Sequence, residues 1–131
     1  MSKVALVTGG TRGIGAAIAN KLKEDGFKVV CTYVGKDEPA QVFSKQTGIE
    51  VFKFDVAYFE SCKAAIAEIE KKYGDVEIVI NNAGITKDRF LHKMAPEEWN
   101  AVINTNLNFF LMFVETLLKK CVLKILVELY L

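Results

Sequence analysis

Four glycines crowd the stretch TGGTRGIG at residues 8–15, directly after the apolar run KVALV. Gly9, Gly13 and Gly15 fall where a strand would give way to a helix. Glycine lets a backbone turn sharply or approach a ligand closely. The first N–H groups of a helix have no intrahelical acceptor, and the helix dipole adds positive potential at the same end. Such a turn suits an anion of the pyrophosphate type. The spacing is G-x-x-x-G-x-G rather than G-x-G-x-x-G, so the ordinary fingerprint does not strictly apply. A glycine-rich turn without a ligand is the plainer alternative, and the strand–turn–helix context weighs against it. A second polar turn, NNAG at 81–84, follows another apolar run.

Alternating elements must hold these two turns. KVALVT (3–8) reads as a buried strand, followed by a helix from about Ile14 to Glu24 that stops at Gly26. FKVVCTYV (27–34) reads as a second strand. A polar stretch containing Pro39 precedes a short helix over 40–46, which Gly48 ends. IEVFKFDV (49–56) alternates as a third strand. Residues 59–73 place Ile66, Ile69 and Tyr73 on one helical stripe, and Gly74 closes that helix. VEIVIN (76–81) is a fourth strand. Pro96, with Glu97 and Glu98 behind it, opens a long helix. Strands alternating with helices predict a single α/β domain: a doubly wound parallel sheet with right-handed crossovers, comprising the first four strands of a nucleotide-binding fold and a long C-terminal helix.

The bulk numbers fit that domain. The chain has 131 residues, 51% hydrophobic and 25% charged, which is globular composition. Seventeen Lys and Arg against sixteen Asp and Glu leave a formal charge of +1, without the footprint of a nucleic-acid or anionic-membrane binder. Cys31, Cys62 and Cys121 are far apart, and His92 is the sole histidine. A zinc site or disulfide framework is not expected, and a reducing cytoplasm fits best. The N-terminus lacks the pattern of a signal peptide. The apolar stretch 109–131 carries Glu115, Lys119, Lys120, Lys124 and Glu128, too many charges for a membrane span.

Together, TGGTRGIG and NNAG resemble the short-chain dehydrogenase/reductase family. FDV (54–56) and WNAVINTNL (99–107) extend the likeness over about residues 3–107. NNAGITKD followed by KM and EEW is similar more narrowly to the 3-oxoacyl thioester reductases, acetoacetyl-CoA reductases above all. The resemblance implies that Gly9, Gly10, Thr11, Arg12, Gly13, Ile14 and Gly15 line a pyrophosphate. It implies that Asp55 meets the adenine edge with Val56 beside it, and that Asn82, Ala83 and Gly84 border the ribose next to nicotinamide. Asp88 and Lys93 would lie on the approach of a coenzyme A substrate. Asn106 takes the place of the family's structural and catalytic asparagine.

The end of strand two selects the cofactor. An enzyme that prefers NAD carries an acid there, bonding the ribose 2′-OH. Thr32, Tyr33 and Val34 offer none, while Arg12 is a planar, permanently charged fork suited to a 2′-phosphate, with Lys36 as an assisting charge. NADPH is therefore expected. Arg12 also reads as a surface charge, Lys36 as a solvated loop lysine and Asp55 as a turn residue ending strand three.

The family reduces carbonyls with a Ser, a Tyr and a Lys, the Tyr donating the proton and the Lys four residues later lowering its pKa. Proton delivery requires such a placed and tuned donor. No Tyr-x-x-x-Lys pair occurs here: Tyr33 is followed at that spacing by Asp37, Tyr58 by Cys62 and Tyr73 by Glu77. Of the family's catalytic set only Asn106 is expected. After NTNL the tail departs from the family, and Lys120, Lys124 and Glu128 recur with helical spacing. The expectation is a descendant of a longer enzyme, altered in reading frame after about residue 108 or truncated near residue 120, and inactive alone. Two alternatives stand beside that ancestry. One is a dinucleotide-binding module that works without catalysis or with a separate C-terminal half. The other is a degenerate fragment. Strand four, left as an edge, and the apolar face of the long helix predict a homo-oligomer.

Overall fold

The computed structural model of the chain describes residues 3–55, 58–84 and 90–108. Val56, Asp88 and the apolar tail at 109–131 lie outside these described residues. Four strands, β1 (Val4–Val7), β2 (Lys28–Tyr33), β3 (Glu50–Lys53) and β4 (Val76–Ile80), form one parallel sheet in the order β3-β2-β1-β4. Helix α1 (Gly13–Glu24) links β1 to β2, α2 (Asp37–Thr47) links β2 to β3, and α3 (Phe59–Tyr73) links β3 to β4. The expected parallel α/β sheet is therefore present.

Alternation within the strands splits the core into two layers. Val4 and Leu6 of β1 and Val30 of β2 face Cys62, Ile66 and Ile69 of α3. Ala5, Val7, Val29 and Cys31 face the other way, toward Ala19 of α1 and Phe43 of α2. Every residue of β1 is buried because helices cover both faces of its position. Each large aliphatic side chain so enclosed contributes about 1.5–3 kcal/mol of transfer free energy. Glu77 is the exposed position of β4, paired with Lys3 at 3.7 Å.

Helix α3 matches the range read from its stripe, whereas α2 begins at Asp37, before Pro39 rather than after it. Proline is tolerated in a first helical turn, where its missing N–H has no acceptor to lose. Asp37 and Glu38 suit the positive end of that helix. The Asp37 carboxylate accepts hydrogen bonds from Lys53 Nζ and the Tyr33 hydroxyl, each at 3.0 Å. The Lys53 ammonium, seconded by the Tyr33 hydroxyl, holds the Asp37 carboxyl below its ordinary value of 3.8. Lys23 Nζ donates to the Thr47 carbonyl at the far end of α2.

Beyond β4 the chain makes a 3-10 turn at Leu91–Lys93, helix α4 (Pro96–Ile103) and a π-helical turn at Asn104–Asn108. Glu98 accepts a hydrogen bond from the Ala95 N–H at 3.0 Å, closing the start of α4. The long helix read from Pro96 is thus helical to Ile103 and widens at Asn104 within the described residues. Among the described residues no helix is long and apolar enough to cross a membrane. Cys31 and Cys62 are buried thiols, outside any disulfide, in opposite core layers. Burial pushes the Cys31 thiol up to about 12 and, with help from the Asp55 charge, the Cys62 thiol up to about 11.

Candidate functional site

In an open parallel sheet, ligands bind outside the carboxyl ends of the strands, where the strand order reverses. Here β1 is that reversal point: β2 and β3 continue to one side, and β4 lies on the other. A cleft of about 830 Å³ opens at this place. Its wall includes Gly9, Thr11, Arg12, Gly13 and Ile14 from the first turn and Asn82, Ala83 and Gly84 from the second. Asp55 joins them from the end of β3. The structure thus gathers nine of the sequence-predicted residues around one cavity.

The two turns are locked to each other by Thr8, which is wholly buried. Its hydroxyl donates to the Ile80 carbonyl at 3.3 Å and accepts from the Asn82 and Ala83 amides at 3.1 and 3.0 Å. Its own N–H also donates to Ile80 O, at 3.1 Å. A second tie runs from the Asn82 side-chain amide to the Gly9 carbonyl, at 3.1 Å. Gly10 donates to the Thr32 carbonyl at 3.2 Å, joining the turn to β2. Thr8 was absent from the sequence-predicted set; a hydroxyl ending an apolar strand just before a glycine was the available signal.

Gly15 stands behind the wall rather than on it. A Cβ added there would lie 2.3 Å from Gly9 O and 2.6 Å from Asn82 Nδ2, so only glycine lets α1 seat against both turns. Gly13 differs: its φ is +57°, and a Cβ there would meet no protein atom within 4 Å. Its backbone therefore faces open space at the start of α1. No side chain caps that helix start and no acid occupies its first turn. Its leading N–H groups are left to a ligand, in the field of the helix dipole. Arg12 adds a cation at the same mouth. The cavity, the open backbone and the charge fit a pyrophosphate-bearing group.

Other predicted residues sit elsewhere. Lys36 is the residue before α2 and does not line the cleft. Lys93 ends the 3-10 turn and does not line it either. Asn106 stands in the π-helical turn, its Oδ1 3.2 Å from where a Cβ on Gly84 would be. Glycine at 84 therefore allows the close approach of Asn106 to the second turn. Widened helical turns of this kind occur often at functional sites. The structure adds Tyr33, Phe54, Tyr58, Asn104 and Thr105 to the cleft wall. No periodic pattern marks these residues, because they meet only where the strand ends converge. Among the described residues no group of three or more His, Cys, Asp or Glu is placed to hold a metal ion.

Comparison with known proteins agrees with this geometry. The family model for short chain dehydrogenases matches residues 3–124. The chain belongs to the short-chain dehydrogenase family. It is 56% identical over 107 residues to an acetoacetyl-CoA reductase of Shinella zoogloeoides and 50% identical over 107 residues to one of Paracoccus denitrificans. Each of these alignments covers 82% of this chain and 44% of the relative. A 3-oxoacyl-[acyl-carrier-protein] reductase of Staphylococcus epidermidis is 43% identical over 112 residues, covering 82% of this chain and 46% of the other. The chain thus spans less than half the length of these curated relatives. Among solved structures, serine dehydrogenase from Escherichia coli superposes with a TM-score of 0.80 at 24% identity, covering 95% of this chain and 60% of that one. At that identity the likeness concerns the fold alone.

Proposed function

We propose that these residues form the cofactor-binding half of an NADPH-dependent reductase acting on a 3-oxoacyl thioester of the acetoacetyl-CoA kind. The observation that carries this reading is the open backbone at Gly13, beside the uncapped start of α1 and Arg12, in a cleft at the reversal of the sheet. Gly9 to Gly15 would hold the pyrophosphate, and Asn82 to Gly84 the ribose next to nicotinamide. Asp55 and Val56 would meet the adenine. Asp88 and Lys93 would serve the coenzyme A end of the substrate, and Asn106 the catalytic asparagine position. The bound dinucleotide supplies the hydride. The binding groups of this chain orient it.

Arg12 carries the choice of NADPH over NADH, because no carboxylate stands at Thr32, Tyr33 or Val34 to bond a free 2′-OH. Lys36 contributes charge from the start of α2. A charge-assisted hydrogen bond contributes about 1.5–3 kcal/mol, so Arg12→Gln should weaken NADPH binding about tenfold or more. NADH affinity should change little. Fluorescence titration of both nucleotides checks this, and equal losses for the two would refute the role of Arg12.

The 131 residues contain no Tyr-x-x-x-Lys pair, so by this reading they bind NADPH alone without oxidising it. That behaviour is the binding-module reading, and activity regained on adding a polypeptide with the family's remaining strands would show complementation. Failure to bind either nucleotide would instead favour a degenerate fragment. In a reducing cytoplasm Cys31 and Cys62 would remain thiols. The sheet order ends on β4, whose backbone forms one sheet edge among the described residues. Edge pairing there, or contact through the helix begun at Pro96, should make the chain a dimer or larger oligomer. Light scattering that finds a stable monomer would exclude it.

A further inference from the structure

Tyr58 breaks a local rule. It is the residue that starts α3, yet its side chain makes no capping hydrogen bond. Ser, Thr, Asp and Asn are the stabilising choices at that position. The residue is also 64% exposed. Such inconsistencies between local preference and sequence concentrate at functional sites. This one stands on the cleft: Tyr58 lines it, next to Asp55, and its N–H donates to the Asp55 carbonyl at 3.3 Å. Val34, 62% exposed beyond the end of β2, lines the same cleft. The neighbouring strand ends are joined by the Phe54 N–H donating to Tyr33 O at 3.2 Å. An exposed aromatic residue and an exposed aliphatic one, with Asp55 on the same cleft wall, suit a flat heterocycle that has apolar faces and polar edges.

We infer that Tyr58 is a base-contacting residue, its ring taking a face of the purine in the bound dinucleotide while Val34 supplies the rim from the neighbouring strand. This rests on the dinucleotide reading above and assigns the aromatic contact within it. Stacking of a base on an aromatic side chain is tolerant of small changes in geometry and sensitive to loss of the ring. The cost of Tyr58 as a helix start is then offset by binding.

The experiment uses the full 131-residue chain with NADPH and 2′,5′-ADP, which carries the adenosine side only. Tyr58→Asn restores a good helix start, so its Tm should rise by roughly a few degrees. Both ligands should bind about tenfold more weakly, whereas Tyr58→Phe should stay within about twofold of the parent chain. Unchanged affinity in Tyr58→Asn would overturn the inference. So would a loss of affinity accompanied by a lower Tm, since the defect would then be structural. If the parent chain binds neither ligand, the dinucleotide reading itself fails and this inference with it. If the parent binds and Tyr58→Asn binds equally, only this inference fails.

Discussion

Thr8→Val should cost about 2–3 kcal/mol of stability and at least tenfold in NADPH affinity. The substitution keeps the shape of the side chain and removes its hydroxyl, so little packing is lost. The polar consequence falls on the second turn. The Ala83 N–H, which donates to Thr8 Oγ1 at 3.0 Å, is left without that acceptor. The Asn82 N–H retains a share in the Ile80 carbonyl at 3.1 Å and is only partly deprived. An unmet buried donor costs roughly 1–3 kcal/mol, and a half-met one less. For a chain of this length the expected fall in Tm is about 10 °C. The binding loss has a separate origin. Asn82, Ala83 and Gly84 form one wall of the cleft, and without the hydroxyl the tie from that wall to the first turn rests on the Asn82 side-chain amide bonded to Gly9 O. Thr8→Ser keeps the hydroxyl and should retain most of the affinity. Calorimetry and a nucleotide titration on the two variants check this. A valine variant melting within 2 °C or so of the parent chain would show that the hydroxyl is not the lock.

Much of this architecture was legible from periodicity and punctuation. The apolar runs located all four strands, because strands covered on both faces leave little room for polar residues. Gly26, Gly48 and Gly74 adopt positive φ just beyond the three linking helices, where the chain must leave a helix. The start of α2 was harder. Pro39 reads as a break, yet Asp37 and Glu38 before it complete a first turn that proline can occupy. The π-helical turn at Asn104 had no sequence signature, since it changes the spacing of hydrogen bonds and not the residue types.

The site was legible in the same uneven way. Residues whose types speak for themselves, the glycines of the first turn, Arg12, Asp55 and Asn82 to Gly84, do line or support the cleft. Thr8 was hidden because its partners stand 74 and 75 positions away, and a single threonine in a strand carries no mark of that pairing. Tyr58 was hidden because an aromatic at a helix start looks like part of the core until its exposure is known. Lys36 is a different case. Its charge and position in sequence suggest the 2′-phosphate, and the turn into α2 places it at the helix start, off the cleft wall.

Gly15→Ala should be the most damaging single-methyl change in the chain. The added carbon would sit 2.3 Å from Gly9 O and 3.0 Å from Gly10 Cα, which are backbone atoms that no rotamer change can move aside. It would also press within 2.6 Å of the Asn82 amide that donates to the same Gly9 carbonyl. Overpacking of a tight interior costs about 1–3 kcal/mol and more where backbone must shift. Here the shift would open the contact between α1 and both turns. The expected result is a Tm lower by about 10 °C or more and no measurable NADPH binding. Gly13→Ala supplies the contrast. Its methyl would meet no protein atom within 4 Å, so only the strain of a positive φ remains, about 1–2 kcal/mol. Its Tm should fall by only about half as much. If the two alanine variants melt together, close packing at Gly15 is not what fixes the first turn, and the positive φ that Gly9 and Gly13 share would have to account for it.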